Sequence, residues 1–350
     1  MSVELADIRG LSRPELEEAL TRLGEKPSHA AAVFLAVHRL RGCDLASLPG
    51  VPERVRAALS RAFSLAPLPA PERRQVSRDG TKKLLLRFPG DAPAECVVLP
   101  AKDRLAACLS SQSGCACGCT FCATGALGLK RSLTSPEIIA QFEACLAEAA
   151  GRLNSLVFMG MGEPFLNWEN VRRAILTLSD SRGRHFPQAK MTVSTVGVVP
   201  VIEELTASDL RVRLAVSVVA ADEEQRARMV PMERTYPLRR VLEAVRAYCR
   251  AKEALVMFEY ILFRGVNDRP SDSALLAGLV KDIPCRVNLI PYNPPGGPGG
   301  EFPRVKQFQR ELIAAGVRTY LRQERGADIA AACGQLASRP PAQPQGPGRE

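Results

Sequence analysis

Four cysteines fall within eight residues, in the run Cys115-Ala116-Cys117-Gly118-Cys119-Thr120-Phe121-Cys122. Cys115, Cys119 and Cys122 have C-x₃-C-x₂-C spacing. Four thiolates would close the coordination of a zinc ion or saturate a four-iron cluster. Three leave one iron of a cubane without a protein ligand. An open iron can hold a small chelating molecule. Cys117 keeps a second chemistry in view, because with it the run has four thiols and could chelate zinc as a structural knuckle. Such a knuckle usually draws its ligands from two separated loops, and no second Cys or His pair of zinc spacing follows.

Two further cysteines sit among small residues. Cys333 lies in Ala330-Ala331-Ala332-Cys333-Gly334-Gln335-Leu336, and Cys108 in Ala107-Cys108-Leu109-Ser110-Ser111-Gln112. By spacing alone, each reads as a small buried hydrophobe.

These groups need a frame. The 350 residues suffice for one large domain and a small one. The net charge of +10 points to a polyanion, with RNA or DNA ahead of a membrane surface. The opening MSVELADIRG has no basic segment followed by an apolar core, and no apolar run is long enough to span a bilayer. Eleven cysteines, an odd count in a large chain, suit metal and redox chemistry in a reducing cytoplasm better than a disulfide framework.

Residues 1–65 read as a small helical domain. Ser12-Arg13-Pro14-Glu15 has the form of a capping box. Two more helices are expected near 29–41 and 52–63, and their polar faces carry Arg39, Arg41, Arg54, Arg56 and Arg61, a candidate RNA-docking face. A Pro-rich linker follows at 66–71. Asp79-Gly80 marks a β-hairpin turn between Gln75–Arg78 and Lys82–Phe88, and Ala94–Leu99 reads as another strand.

From 105 to 337, strand-like runs alternate with helical ones, with strands near 105–110, 155–160, 190–194, 213–218, 256–263, 285–290 and 317–322. Thr134-Ser135-Pro136-Glu137 opens one of the helices with a second capping box. Repeated βα units make an α/β fold with a parallel sheet, closed or partly closed into a (β/α) barrel. Residues 338–350, rich in Pro, Gly and Gln, read as a disordered tail. Ligands of a barrel bind where its strands end. The cysteine triplet, Gly160-Met161-Gly162-Glu163, Ser194-Thr195-Val196-Gly197, Ser217-Val218-Val219-Ala220 and Asn288-Leu289-Ile290-Pro291-Tyr292-Asn293 each follow or end a strand, so they share one rim. Taken singly, each is an ordinary βα turn.

The triplet, with Phe121 before its last cysteine, resembles the radical-SAM signature. CLSSQSGCACGCTFCATGALG, GMGEPFLNWENV, STVGVVP, NLIPYNP and RGADIAAACGQL, in this order, resemble the RlmN/Cfr family of radical-SAM RNA methylases over nearly the whole chain. The resemblance implies a [4Fe-4S] cluster on Cys115, Cys119 and Cys122, and S-adenosylmethionine contacts from Gly162, Glu163, Ser194, Ser217 and Asn293. It implies that Cys333 takes a methyl group from one S-adenosylmethionine, and that a 5′-deoxyadenosyl radical from a second removes hydrogen from that methyl. The methylene then joins an adenine ring carbon. Glu95 is implied as proton acceptor. Cys108 then attacks Cys333, forming a transient disulfide and freeing the base.

The implied substrate is carbon 2 of adenosine in large-subunit ribosomal RNA, with tRNA as a second candidate. The alternatives are carbon 8, as in the Cfr branch, a radical-SAM enzyme for a different substrate, and a non-catalytic iron–sulfur or zinc protein that binds RNA. A flavodoxin-type electron donor is an expected partner, and a monomer the expected state. The chain departs from the family pattern at Val219, where a His is usual, at Ala327 and Glu324, and in the additional Cys117.

Overall fold

The structure, a computed structural model, describes residues 5–39, 44–102, 104–292 and 303–337. Arg41, Asn293 and the tail 338–350 lie outside the described residues.

Local signals start the N-terminal domain. Ser12 caps α1 (Arg13–Arg22), and Glu15 accepts in return from the Ser12 N–H at 2.8 Å, which completes the capping box. With α2 (Ala30–Arg39) and α3 (Glu53–Ala62), it buries Leu16, Leu20, Val33, Phe34, Val55 and Leu59 in a core of their own. Each such side chain contributes about 1.5–3 kcal/mol. The domain is seated firmly on the remainder. Arg13 Nε meets Asp180 Oδ2 at 2.9 Å, and Arg173 Nε meets Glu15 Oε1 at 2.8 Å. A Cβ on Gly10 would lie 2.8 Å from Pro136, so the backbone approach there needs glycine. Arg39, on the polar face, is exposed and also donates to the carbonyls of Gly183 and Ser181.

One sheet of ten strands carries the rest. Its antiparallel half is β1 (Arg73–Val76), β2 (Lys82–Phe88), β3 (Ala92–Ala101) and β4 (Arg104–Cys108). A short pair, β5 (Gln112–Gly114) and β6 (Leu129–Ser132), stands apart from it. The sheet continues in parallel through β7 (Ser155–Phe158), β8 (Met191–Thr195), β9 (Arg213–Ser217), β10 (Val256–Leu262), β11 (Cys285–Pro291) and β12 (Thr319–Leu321). β1 and β12 are its two edges, so the barrel is partial, as the alternating pattern predicts. The hairpin extends this same sheet rather than standing beside it. Its turn is also wider than Asp79-Gly80 suggests and spans 77–81. Asp79 turns its side chain to the N–H groups of Thr81 and Gly326, and Ser77 N–H closes the loop on Thr81 O at 2.8 Å.

Helices α5 (Ser135–Glu148), α6 (Trp168–Ser179), α7 (Val199–Ala207), α9 (Leu238–Lys252), α10 (Pro270–Val280) and α11 (Pro303–Ala314) alternate with the strands, while the short α4 (Ala123–Ala126) and α8 (Glu223–Met229) lie at the strand ends beside the site. In α5, Ile138, Ile139, Phe142 and Cys145 form one apolar stripe, laid against β2, β3 and β4. In α9, Leu238, Val241, Leu242, Val245 and Cys249 form a second stripe, and this helix packs beside α7. Among the described residues, no helix is long and apolar enough to cross a membrane.

Candidate active site

The cysteine loop is held by its own neighbours. Gly114, at φ 79°, sits where a Cβ would fall 1.9 Å from Gly128 O. That close approach lets Cys115 N–H donate to Gly128 O at 3.0 Å. Cys122 N–H returns to Cys119 O at 3.2 Å, and Cys122 then leads into α4. Cys115, Cys119 and Cys122 line a cavity of about 160 Å³. Gly162, Glu163, Ser194 and Ser217 line the same cavity, at the ends of β7, β8 and β9.

A hydrogen bond from the Cys117 thiol holds Cys115 below the ordinary thiol range. Burial pushes Cys119 up to about 12, and Cys122 up as well. A bound iron would supply the positive charge that favours thiolates here. Among the described residues, no group of three or more His, Cys, Asp or Glu side chains is placed to hold a single metal ion. Cys115, Cys119 and Cys122 line one cavity, and a cubane takes three thiolates at separate corners. The donor set fits a cluster with one iron open to the cavity.

The rim is built from close backbone approaches. Gly162 has φ 94°, and a Cβ there would lie 2.5 Å from Gln112. The buried Glu163 carboxylate accepts from Val196 N–H at 2.9 Å and Phe165 N–H at 3.0 Å, joining the loops after β7 and β8. Burial raises its pKa to about 7 despite those bonds. Val219, at φ 65°, is a β-branched residue in left-handed backbone, pinned by Asn267 Nδ2 on its carbonyl at 2.7 Å.

Arg226 was not foreseen. Its guanidinium is fully buried, donates to Val218 O at 2.8 Å and Val196 O at 2.7 Å, and pairs with Glu233. It ties the ends of β8 and β9 together behind Cys119. Nothing in the sequence distinguishes this arginine from the exposed Arg228 two residues on.

A second cavity, of about 400 Å³, lies beside the first. Val97, Leu99, Cys108 and Tyr292 line it. Cys333, Arg322, Phe121, Met159, Ile261 and Ile290 line both cavities, so Cys333 stands at the partition. Cys108 ends β4, directly opposite Val97 of β3. Burial pushes its thiol up to about 12, Cys333 adds to this, and Arg322 opposes it. Cys108 and Cys333 are both free thiols.

Arg322, also unforeseen, stands 3.6 Å from Glu259 Oε2, and Cys333 and Glu259 drive its pKa further up. Glu95 is not among the residues lining either cavity. It lies behind the Cys333 loop, on the face of β3 that carries Val97, and accepts from Ala337 N–H at 3.0 Å.

Three thiols at the strand ends of a partial barrel, opening on a small-molecule cavity, define a radical-SAM enzyme. Residues 109–276 match the Radical SAM superfamily. The probable dual-specificity RNA methyltransferase RlmN of Heliobacterium modesticaldum is 40% identical, over 96% of this chain and 90% of that one. Its namesake in Moorella thermoacetica is 42% identical, over 94% of this chain and 96% of that one. A crystal structure of a radical SAM methyltransferase from Sphaerobacter thermophilus superposes with a TM-score of 0.87 at 38% identity, covering 95% of this chain and all of that one. The chain belongs to the RlmN/Cfr family of radical-SAM RNA methyltransferases.

Proposed function

We propose that this enzyme methylates carbon 2 of adenosine in large-subunit ribosomal RNA and in tRNA, with Cys333 as the methyl carrier. One observation carries the reading: Cys333 lies on the wall shared by the small cavity at the cysteine triplet and the larger cavity that contains Cys108. The relatives' name, dual-specificity RNA methyltransferase, supports an RNA substrate of two kinds.

In this reading Cys115, Cys119 and Cys122 hold a [4Fe-4S] cluster. Gly162, Glu163, Ser194, Ser217 and Asn293 hold S-adenosylmethionine. When bound, the cluster and S-adenosylmethionine supply a methyl group to a thiol and a carbon radical able to take a hydrogen atom. Cys333 presents its methyl carbon to the small cavity for that hydrogen loss and to the large one for bond formation with the base. An adenine unstacked from its RNA fills the large cavity. The radical adduct must give up one electron, which a bound cluster would accept, and one proton, for which Glu95, behind the Cys333 loop and outside both cavity linings, is the proposed final acceptor. Cys108, as thiolate, then attacks the Cys333 sulfur, leaving a disulfide, and the carbon released from that sulfur takes up a proton to become the methyl of the base. An external electron donor of flavodoxin type works with a monomeric, cytoplasmic enzyme.

The test is nucleoside mass spectrometry of undermethylated RNA treated anaerobically with reconstituted enzyme, S-adenosylmethionine and a reductant. The expected product is 2-methyladenosine, absent with C333A. Finding 8-methyladenosine would transfer the enzyme to the Cfr branch. Cleavage of S-adenosylmethionine with neither nucleoside formed would remove the RNA assignment.

A further inference from the structure

Lys83 carries a buried charge that the proposed chemistry does not use. It lies on β2 with its side chain 3% exposed. A buried ammonium is tolerated only when paired and hydrogen-bonded. Its Nζ stands 3.2 Å from Glu95 Oε1 and donates to Ala330 O at 3.0 Å. The other oxygen of Glu95 accepts from Ala337 N–H at 3.0 Å. A single ion pair thus grips residue 330 on one side of Cys333 and residue 337 on the other.

The segment needs such a grip. Ala330 has φ 51°, in a region that L side chains avoid. The remaining ties come from two directions. On the hairpin side, Asp79 accepts from Gly326 N–H at 3.1 Å, and Asp328 accepts from Ser77 Oγ at 2.5 Å. On the cluster side, Ala123 N–H donates to Gly334 O at 2.7 Å, and Thr124 Oγ1 to Leu336 O at 2.6 Å. Lys83 and Glu95 are the charged pair that spans the loop.

We infer that Lys83 is a positioning residue: through Glu95 and the Ala330 carbonyl it clasps both sides of the Cys333 loop and holds the sulfur on the wall between the two cavities. This rests on the reading of Cys333 as the methyl carrier. Hydrogen transfer needs the reacting atoms in near-attack geometry, and misplacement by about 1 Å costs about a hundredfold. Loss of the clasp therefore spoils the use made of each S-adenosylmethionine cleaved, while RNA affinity stays as it was.

The test uses full-length, cluster-loaded K83M and counts 5′-deoxyadenosine formed per methyl transferred to RNA. That ratio is expected to rise about tenfold, with the KM for RNA unchanged. Hydrogen exchange, measured without RNA or S-adenosylmethionine, is expected to quicken across 326–337 and not in β7–β9. K83M leaves Glu95 buried without its cation, so A337P, which removes the N–H that Glu95 accepts, fixes φ at 337 and leaves both charges paired, provides a second variant. It is expected to shift ratio and exchange the same way by a smaller factor, and it carries the test if K83M does not fold. Unchanged exchange across 326–337 in the folded variants would overturn the clasp. A loosened loop with an unchanged ratio, in an enzyme whose C333A variant still methylates, would overturn the methyl-carrier reading and leave the clasp standing.

Discussion

The loops that carry Cys119 and Cys333 face the same cavity but are held in opposite ways. The first is fixed mostly from within, with one distant tie from Thr120 N–H to Met229 O at 3.1 Å. Cys115 leans on Gly128 and Cys122 on Cys119, all within a short stretch. The second is fixed from far away in sequence. Its anchors are Ser77, Asp79, Lys83, Glu95, Ala123 and Thr124, some 200 or more residues upstream. A metal-binding loop must keep its donors in place before anything else binds, and local hydrogen bonds suffice. A loop whose sulfur must serve two cavities needs reference points on both, and those can only be distant.

The contrast is broken most completely at the triplet. C119A is expected to lower iron content from about four to near zero per chain and to abolish S-adenosylmethionine cleavage, by iron assay and chromatography. Methylation should vanish with it.

At the partition, C108A is expected to leave cleavage intact but to trap the RNA on Cys333. A protein–RNA adduct would then accumulate on denaturing gels, about one per enzyme. In the wild type the release step should quicken with pH. The Cys108 thiol lies near 12, so its reactive thiolate rises about tenfold per unit between pH 7 and 9. A flat profile for adduct decay would remove Cys108 from that step.

The N-terminal domain gives a smaller effect. Burial lowers His38 from 6.5 to about 3. Between those values the unfolded chain binds a proton that the folded one refuses, so stability falls as pH falls through the window. Thermal unfolding at pH 7, 5.5 and 4.5 should show that decline, and H38L should reduce it.

The smallest effect concerns Val219. Left-handed backbone strains a β-branched side chain by about 1 kcal/mol, and Asn tolerates it better. Val219 is also buried among Ala220, Met229 and Val230, so V219N exchanges that strain for an unpaired buried amide and is expected to lower the unfolding midpoint by about 2 °C. The same change is expected to alter S-adenosylmethionine affinity, measured by equilibrium binding, because Val219 lines the small cavity.

The same contrast explains what the sequence made legible. Spacing reveals short-range devices: the triplet, the Ser12 and Thr134 capping boxes, the βα alternation and the rim glycines. It does not reveal pairings across the fold. Lys83 looks like one more polar strand residue until β3 places Glu95 beside it and the C-terminal segment folds over both. Arg226 and Arg322 sit in ordinary basic patterns; only the carbonyls of Val196 and Val218 show that one is a tie rod, and only the cavities show that the other is a wall. The Asp79-Gly80 turn is visible in the sequence, but the bond from Gly326 N–H to Asp79 is not, because its two ends lie far apart along the chain.

A wall shared by two chambers also acts as containment. On the proposed chemistry, a carbon radical is born on one side of Cys333 and a long, easily damaged polymer waits on the other. The atom that passes between them is a single carbon already bonded to the protein. On that chemistry an enzyme whose Cys333 carries no methyl would have nothing to hand across, so the order of events would follow from the architecture without any moving gate.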